Sequence, residues 1–209
     1  MKTTSLPRRA GFSLIEMLAV IAILVVLIGV LVPAFHSVGR ASQLTNATAI
    51  VVDEFNLARQ TALARNRIVE VRFYSLRHEL DSTRAYRAVR TLVADEDGKV
   101  MLPLEPLKTF PIGIVALKDD QFSTLLSDTL RPSQTTDTED LPSAPATPYK
   151  ALRFRPTGGV ELTDYTSSND TWFLTLKNET DPNTSQRPAN NFATIQVDPV
   201  TGRTRQFRP

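Results

Sequence analysis

The stretch from Phe12 to Val32 constrains this chain most, because its about 20 residues are apolar except for Ser13 and Glu16 and match a helix crossing a bilayer core. A lone carboxylate inside such a run is costly and points to function, with a partner to be named. Lys2, Arg8 and Arg9 precede the run with no acid among them. The positive-inside rule puts that end in the cytoplasm and the remainder across the membrane. Three plainer readings compete. A secretory signal has a shorter apolar core and a small-residue cleavage site, and Val32-Pro33-Ala34-Phe35 is a poor one. A simple anchor accounts for the length, but for neither Gly11 before Phe12 nor Glu16. A buried helix of a water-soluble protein is disfavoured by the length.

The order Gly11-Phe12-Ser13-Leu14-Ile15-Glu16 resembles the processing motif of type IV prepilins and type II secretion pseudopilins. The resemblance implies that a prepilin peptidase cuts between Gly11 and Phe12 and methylates the new amine of Phe12. Glu16 is then fifth in the mature chain, where the family carries a glutamate. Pro33 fits the proline that the family often has further along the helix. The implied location is the bacterial inner membrane, single-pass, with the carboxy-terminal part periplasmic or in a filament.

The chain has 209 residues, with 24 Lys and Arg against 22 Asp and Glu. A leader through Gly11 removes three cations, leaving 21 against 22. The mature protein therefore has no general nucleic-acid-binding charge. There is no cysteine, which excludes disulfides, thiol chemistry and thiolate metal sites.

Beyond Gly39, Leu44, Ala47, Val51, Phe55, Ala58 and Ala62 recur at three- and four-residue steps, the apolar stripe of an amphipathic helix. One long helix is expected from Ser13 to about Asn66, kinked or loosened near Pro33 and Gly39. Val69, Val71 and Phe73 then alternate with Glu70, Arg72 and Tyr74, a half-buried strand. Further strands are expected at 85–93, 112–117, 151–154, 171–176, 192–197 and 203–207. Turns are expected at Asp95-Glu96-Asp97-Gly98, Thr157-Gly158-Gly159 and Asp198-Pro199-Val200-Thr201-Gly202. The prolines between 103 and 111 predict extended or irregular chain. Residues 127–150, rich in Pro, Ser, Thr and Asp, read as a mobile insertion.

The expected organisation is a leader at 1–11, a transmembrane segment at 12–35, an amphipathic continuation at 36–67 and a sheet domain at 68–209. The fold class is α+β, a long amino-terminal helix on an antiparallel sheet, and it matches the pilin fold that the resemblance implies. Three later stretches resemble the minor pseudopilin H/FimT group: Leu57 to Val71, Phe154 to Gly159, and Ile195 to Arg203. The Pro-rich segment 101–150 departs from that group's compact pattern, and such a departure resembles a specialised branch like the Verru_Chthon cassette prepilin-like proteins.

The resemblance gives Glu16 an assembly role, neutralising the methylated amine of Phe12 on a neighbouring subunit. The plainer role is capping its own helix. Implied partners are the prepilin peptidase, other pilin or pseudopilin subunits and the inner membrane. The tail Gly202-Arg203-Thr204-Arg205-Gln206-Phe207-Arg208 resembles the Gly-Arg-x-Arg element of DNA-binding FimT-type pilins, which nominates Arg203, Arg205 and Arg208 as DNA contacts. The competing reading is a solvated edge strand whose charges discourage aggregation. Asp95, Glu96 and Asp97 suit calcium in kind but lack the full loop spacing, so no metal is assigned. His36 and His78 form no metal pair, and no nucleophile motif is present, so no cofactor and no enzymatic role are expected.

Overall fold

The computed structural model describes residues 12–78, 83–127, 137–142, 144–161, 171–183 and 191–209, without the side chains of 29–38. The leader and Gly11 lie outside the described residues. Helix α1 spans Leu14–Arg65. The chain divides after Arg40 into two compact units, and each is described by itself.

In the first unit the described side chains of α1 from Leu14 to Ile28 are exposed, and apart from Glu16 they are apolar all round. Among the described residues no helix is long and apolar enough to cross a membrane. The described side chains stop at Ile28, whereas the apolar sequence continues to Val32.

In the second unit, Ala41–Pro209, the rest of α1 lies on a sheet. The strands are β1 (Val69–Arg77), β2 (Arg84–Ala94), β3 (Met101–Pro103), β4 (Lys108–Thr109), β5 (Ile114–Ala116), β6 (Asp137–Leu141), β7 (Ala144–Phe154), β8 (Val160–Glu161), β9 (Trp172–Asn178), β10 (Phe192–Val197) and β11 (Thr204–Phe207). The sheet runs β11-β10-β9-β5-β2-β1-β7-β6, with β3 and β4 also on β2 and β8 on β7. Every pairing is antiparallel. The α+β expectation therefore holds for helix and sheet.

The stripe read from the sequence is the face that meets the sheet: Leu44, Ala47, Val51, Phe55, Ala58 and Ala62 are all at most 1% exposed. Alanines at three of these positions let the helix approach closely. Phe55 fills the remaining depth, edge-on to Phe73 at 5.9 Å and tilted on Phe154 at 6.0 Å. Burying a side chain of that size contributes about 1.5–3 kcal/mol.

Two expectations are corrected. Strand β1 was expected to be half-buried, yet Glu70 and Tyr74 on its outward face are buried as deeply as Val69 and Phe73. The outward face is covered by charge pairing and by a second apolar cluster of Tyr74, Ala88, Leu141 and Tyr149. Within 127–150, expected as a mobile insertion, β6 and the first half of β7 form a hairpin. Residues 128–136 and 143 of that segment lie outside the described residues. Pro145 and Pro148 fall beyond the last β1–β7 pair, Tyr74 with Tyr149, where β7 pairs with β6 alone, so no proline sits in the middle of the β1–β7 ladder.

Candidate functional site

The first predicted site opens α1. Phe12 is exposed, and Ser13 caps the helix. The Glu16 main-chain N–H donates to Ser13 Oγ at 3.3 Å, and the Ser13 N–H donates back to a Glu16 carboxylate oxygen at 3.4 Å. This reciprocal pair is a capping box, written in the sequence as Ser-x-x-Glu. It satisfies two otherwise orphaned donors and sets a negative charge at the positive end of the helix dipole. In the single chain, then, Glu16 takes its plainer role, with its carboxylate exposed at the start of the apolar stretch of α1.

The second predicted site lies at the other end of α1. There the three stretches that read as pseudopilin-like converge. The Arg59 Nε donates to Thr201 O at 2.6 Å, and the Val160 N–H donates to Pro199 O at 2.8 Å. Gly158 and Gly202 both have positive φ, 86° and 64°. A Cβ on Gly202 would stand 2.1 Å from Gly158 O, and one on Gly159 would stand 2.7 Å from Val200 O. Only glycine permits this approach of the 155–159 and 198–202 turns. Asp198 accepts main-chain N–H groups from Val200 and Thr201, each at 2.9 Å. Those bonds, chiefly from Thr201, hold its carboxyl below the ordinary range, and the Arg205 charge adds to them.

Beside this junction opens a cleft of about 540 Å³, lined among others by Gln196, Asp198, Arg203 and Arg205. It brings Arg203 and Arg205 together, both exposed, with Asp198 in the same lining and its charge interacting with that of Arg205. Arg208 is used elsewhere. Its guanidinium donates to Thr45 Oγ1 at 2.6 Å, Ala41 O at 3.2 Å and Asn191 Oδ1 at 3.3 Å, fastening the tail to the helix. The acidic turn is engaged within the fold: Asp95 accepts from the Lys99 and Val100 N–H groups, and Glu96 pairs with Arg67 at 3.0 Å. Among the described residues no three His, Asp or Glu gather in a form that holds a metal.

Two charged clusters escaped sequence reasoning. Glu54, fully buried on the sheet-facing side of α1, accepts the Thr91 hydroxyl and pairs with Lys108 Nζ at 2.6 Å. Lys108 also meets Glu105, and these two carboxylates raise its pKa, Glu105 first. The signal was present, since Glu54 falls between Val51 and Ala58 on the apolar stripe. On the outward sheet face, Glu139 accepts Arg72 at 2.7 Å, the Tyr74 hydroxyl at 2.5 Å, and Arg90. Glu70 pairs with Arg72 at 2.6 Å and Arg153 at 3.1 Å. Burial opposes the Arg72 charge, but Glu70 and Glu139 outweigh it and hold its pKa above the ordinary value. Burial, aided by the bond to Glu139, lifts the Tyr74 phenol. No sequence pattern joins Glu139 to strands some fifty or more residues earlier.

The family model for the prokaryotic N-terminal methylation motif matches residues 6–32, the motif carried by type IV prepilin-like proteins. It indicates a substrate of prepilin processing. No curated protein and no solved structure matches the chain.

Proposed function

We propose that this chain is a minor pilin or pseudopilin subunit of the H/FimT type, a structural part of a type IV pilus or type II secretion pseudopilus. Prepilin peptidase cuts between Gly11 and Phe12 and methylates the new amine. The apolar start of α1 holds the subunit in the inner membrane until it enters a filament, where it packs against the same segment of other subunits. The observation that carries this reading is the methylation motif lying in register with a capped helix whose described apolar side chains, from Leu14 to Ile28, are exposed. An apolar, all-round-exposed helix needs either lipid or other helices. In that low-dielectric setting the Glu16 carboxylate leaves its exposed capping position to neutralise the Phe12 amine of a neighbour, since an unpaired charge there is strongly penalised. The subunit's work is assembly, not catalysis. Glu16→Ala is expected to leave cleavage intact and to reduce recovery of the protein in sheared filaments by about tenfold or more, the scale of a lost buried charge pair. Unchanged recovery would remove Glu16 from the mechanism.

A second reading, DNA capture by a FimT-like minor pilin, draws on exposed Arg203 and Arg205 in one cleft. It ranks lower because Asp198 shares that cleft and Arg208 is engaged by the helix. It requires salt-sensitive binding that Arg203→Ala with Arg205→Ala abolishes. Full binding by that double variant excludes the tail.

A further inference from the structure

The β11 edge of the sheet is unfinished in a way that fits an incoming strand. β11 is the last strand on its side and pairs only with β10. The Asp198 N–H donates to Arg203 O at 2.9 Å, a length typical of a ladder, which makes 198 and 203 a hydrogen-bonded pair. Alternation then turns the main-chain groups of Arg205 and Phe207 toward β10, and those of Thr204 and Gln206 outward. Among the described residues nothing pairs with that outward edge.

Alongside it runs a groove of about 610 Å³ between edge and helix. One wall is Val52, Asn56 and Arg59, a stripe at helical spacing; the other is Arg203, Thr204 and Gln206. Val52 on that helix flank is half-buried and packs against the margin of the core, so the groove has an apolar side as well as a charged one. A strand added to β11 would lie about 4.8 Å away and turn alternate side chains onto that flank. The groove is lined by two arginines and no carboxylate, unlike the neighbouring cleft that holds Asp198.

We propose that the β11 edge binds an extended, acid-bearing segment of a partner protein as an added strand. Its main chain pairs with Thr204 and Gln206, and an inward carboxylate lies between Arg59 and Arg203. Main-chain pairing supplies affinity and the side-chain groove supplies selectivity, the general logic of strand addition. The site stands on the sheet unit alone and does not depend on the filament reading. A nucleic acid would gain little here, because two cations are a small phosphate footprint and the groove offers no exposed aromatic platform.

The test uses the full chain in mild detergent and a synthetic eight-residue peptide alternating glutamate with valine or threonine. Amide exchange at Thr204 and Gln206 is expected to slow by about tenfold or more on saturation, with the helix unaffected. Arg203→Glu should weaken peptide binding by at least about tenfold. The same peptide N-methylated at alternate amides, which keeps every charge and leaves the protein untouched, should fail to bind. Equal binding by the N-methylated peptide, absence of binding, or stronger protection of these amides by a single-stranded oligonucleotide than by the peptide would each overturn the proposal.

Discussion

Gly202→Ala tests whether the two glycine turns are locked as described. The substitution meets two penalties. At φ 64° an alanine costs about 1–2 kcal/mol against glycine. Its Cβ would also lie 2.1 Å from Gly158 O, a backbone atom that cannot swing aside. Relief requires the turns to separate, which breaks the Val160 to Pro199 bond and the Arg59 to Thr201 bond. Each is worth about 0.5–1.5 kcal/mol. The expected loss is about 3–4 kcal/mol, roughly 10 °C in Tm for a unit of this size. Gly98→Ala is the internal control. Its φ is 71°, but a Cβ there meets nothing within 4 Å, so only the backbone penalty applies. It should lower Tm by about 3 °C. The single tryptophan, Trp172, is buried in β9, and its fluorescence on heating reports unfolding of the sheet. Equal losses for the two variants would refute the locked junction and leave Gly202 a turn residue only.

Glu54→Ala strands the Thr91 hydroxyl and removes one of two carboxylates from Lys108; a loss of about 2–3 kcal/mol is expected in the same melting assay, moderated because Lys108 is partly exposed and keeps Glu105. Asp198 has a carboxyl pKa lowered by the 200–201 main-chain N–H groups, so its contribution is complete above the unfolded value of 3.8 and is lost as pH falls through the lower native value. Asp198→Asn should therefore flatten the acid limb of stability below about pH 4 and leave its pH dependence near neutrality unchanged. Tyr74→Phe should cost about 1–2 kcal/mol in the same melting assay, since it leaves Glu139 with one fewer donor on a part-buried face.

Periodicity made much of the fold legible. The stripe from Leu44 to Ala62 named the buried face residue by residue, because a helix against a sheet has one dry side. Strand β10 runs over the residues read from the sequence, and the Gly158-Gly159 turn does lead into β8, pairing Phe154 with Val160. The β6–β7 hairpin was illegible because Pro145 and Pro148 mimic a linker, and only the topology shows that they lie where β7 no longer pairs with β1. Burial of β1 on both faces was hidden for a related reason. Glu70 and Arg72 look solvated in sequence and are dry only because Glu139 and Arg153 arrive from other strands. The opening site was legible as a motif, and its Ser13–Glu16 capping pair follows from the same letters. The Arg203–Arg205 cleft was legible as a charge pattern, but Asp198 beside it and the engagement of Arg208 by Thr45 and Ala41 required the fold.

The most direct test of the account is the mass and amino-terminal sequence of the protein recovered from its native membrane. A chain beginning at N-methylated Phe12 is the expected result, fixing processing and the start of α1 together. A chain beginning at Met1, or cut beyond Pro33, would contradict it and return the opening stretch to a plain anchor or a secretory signal.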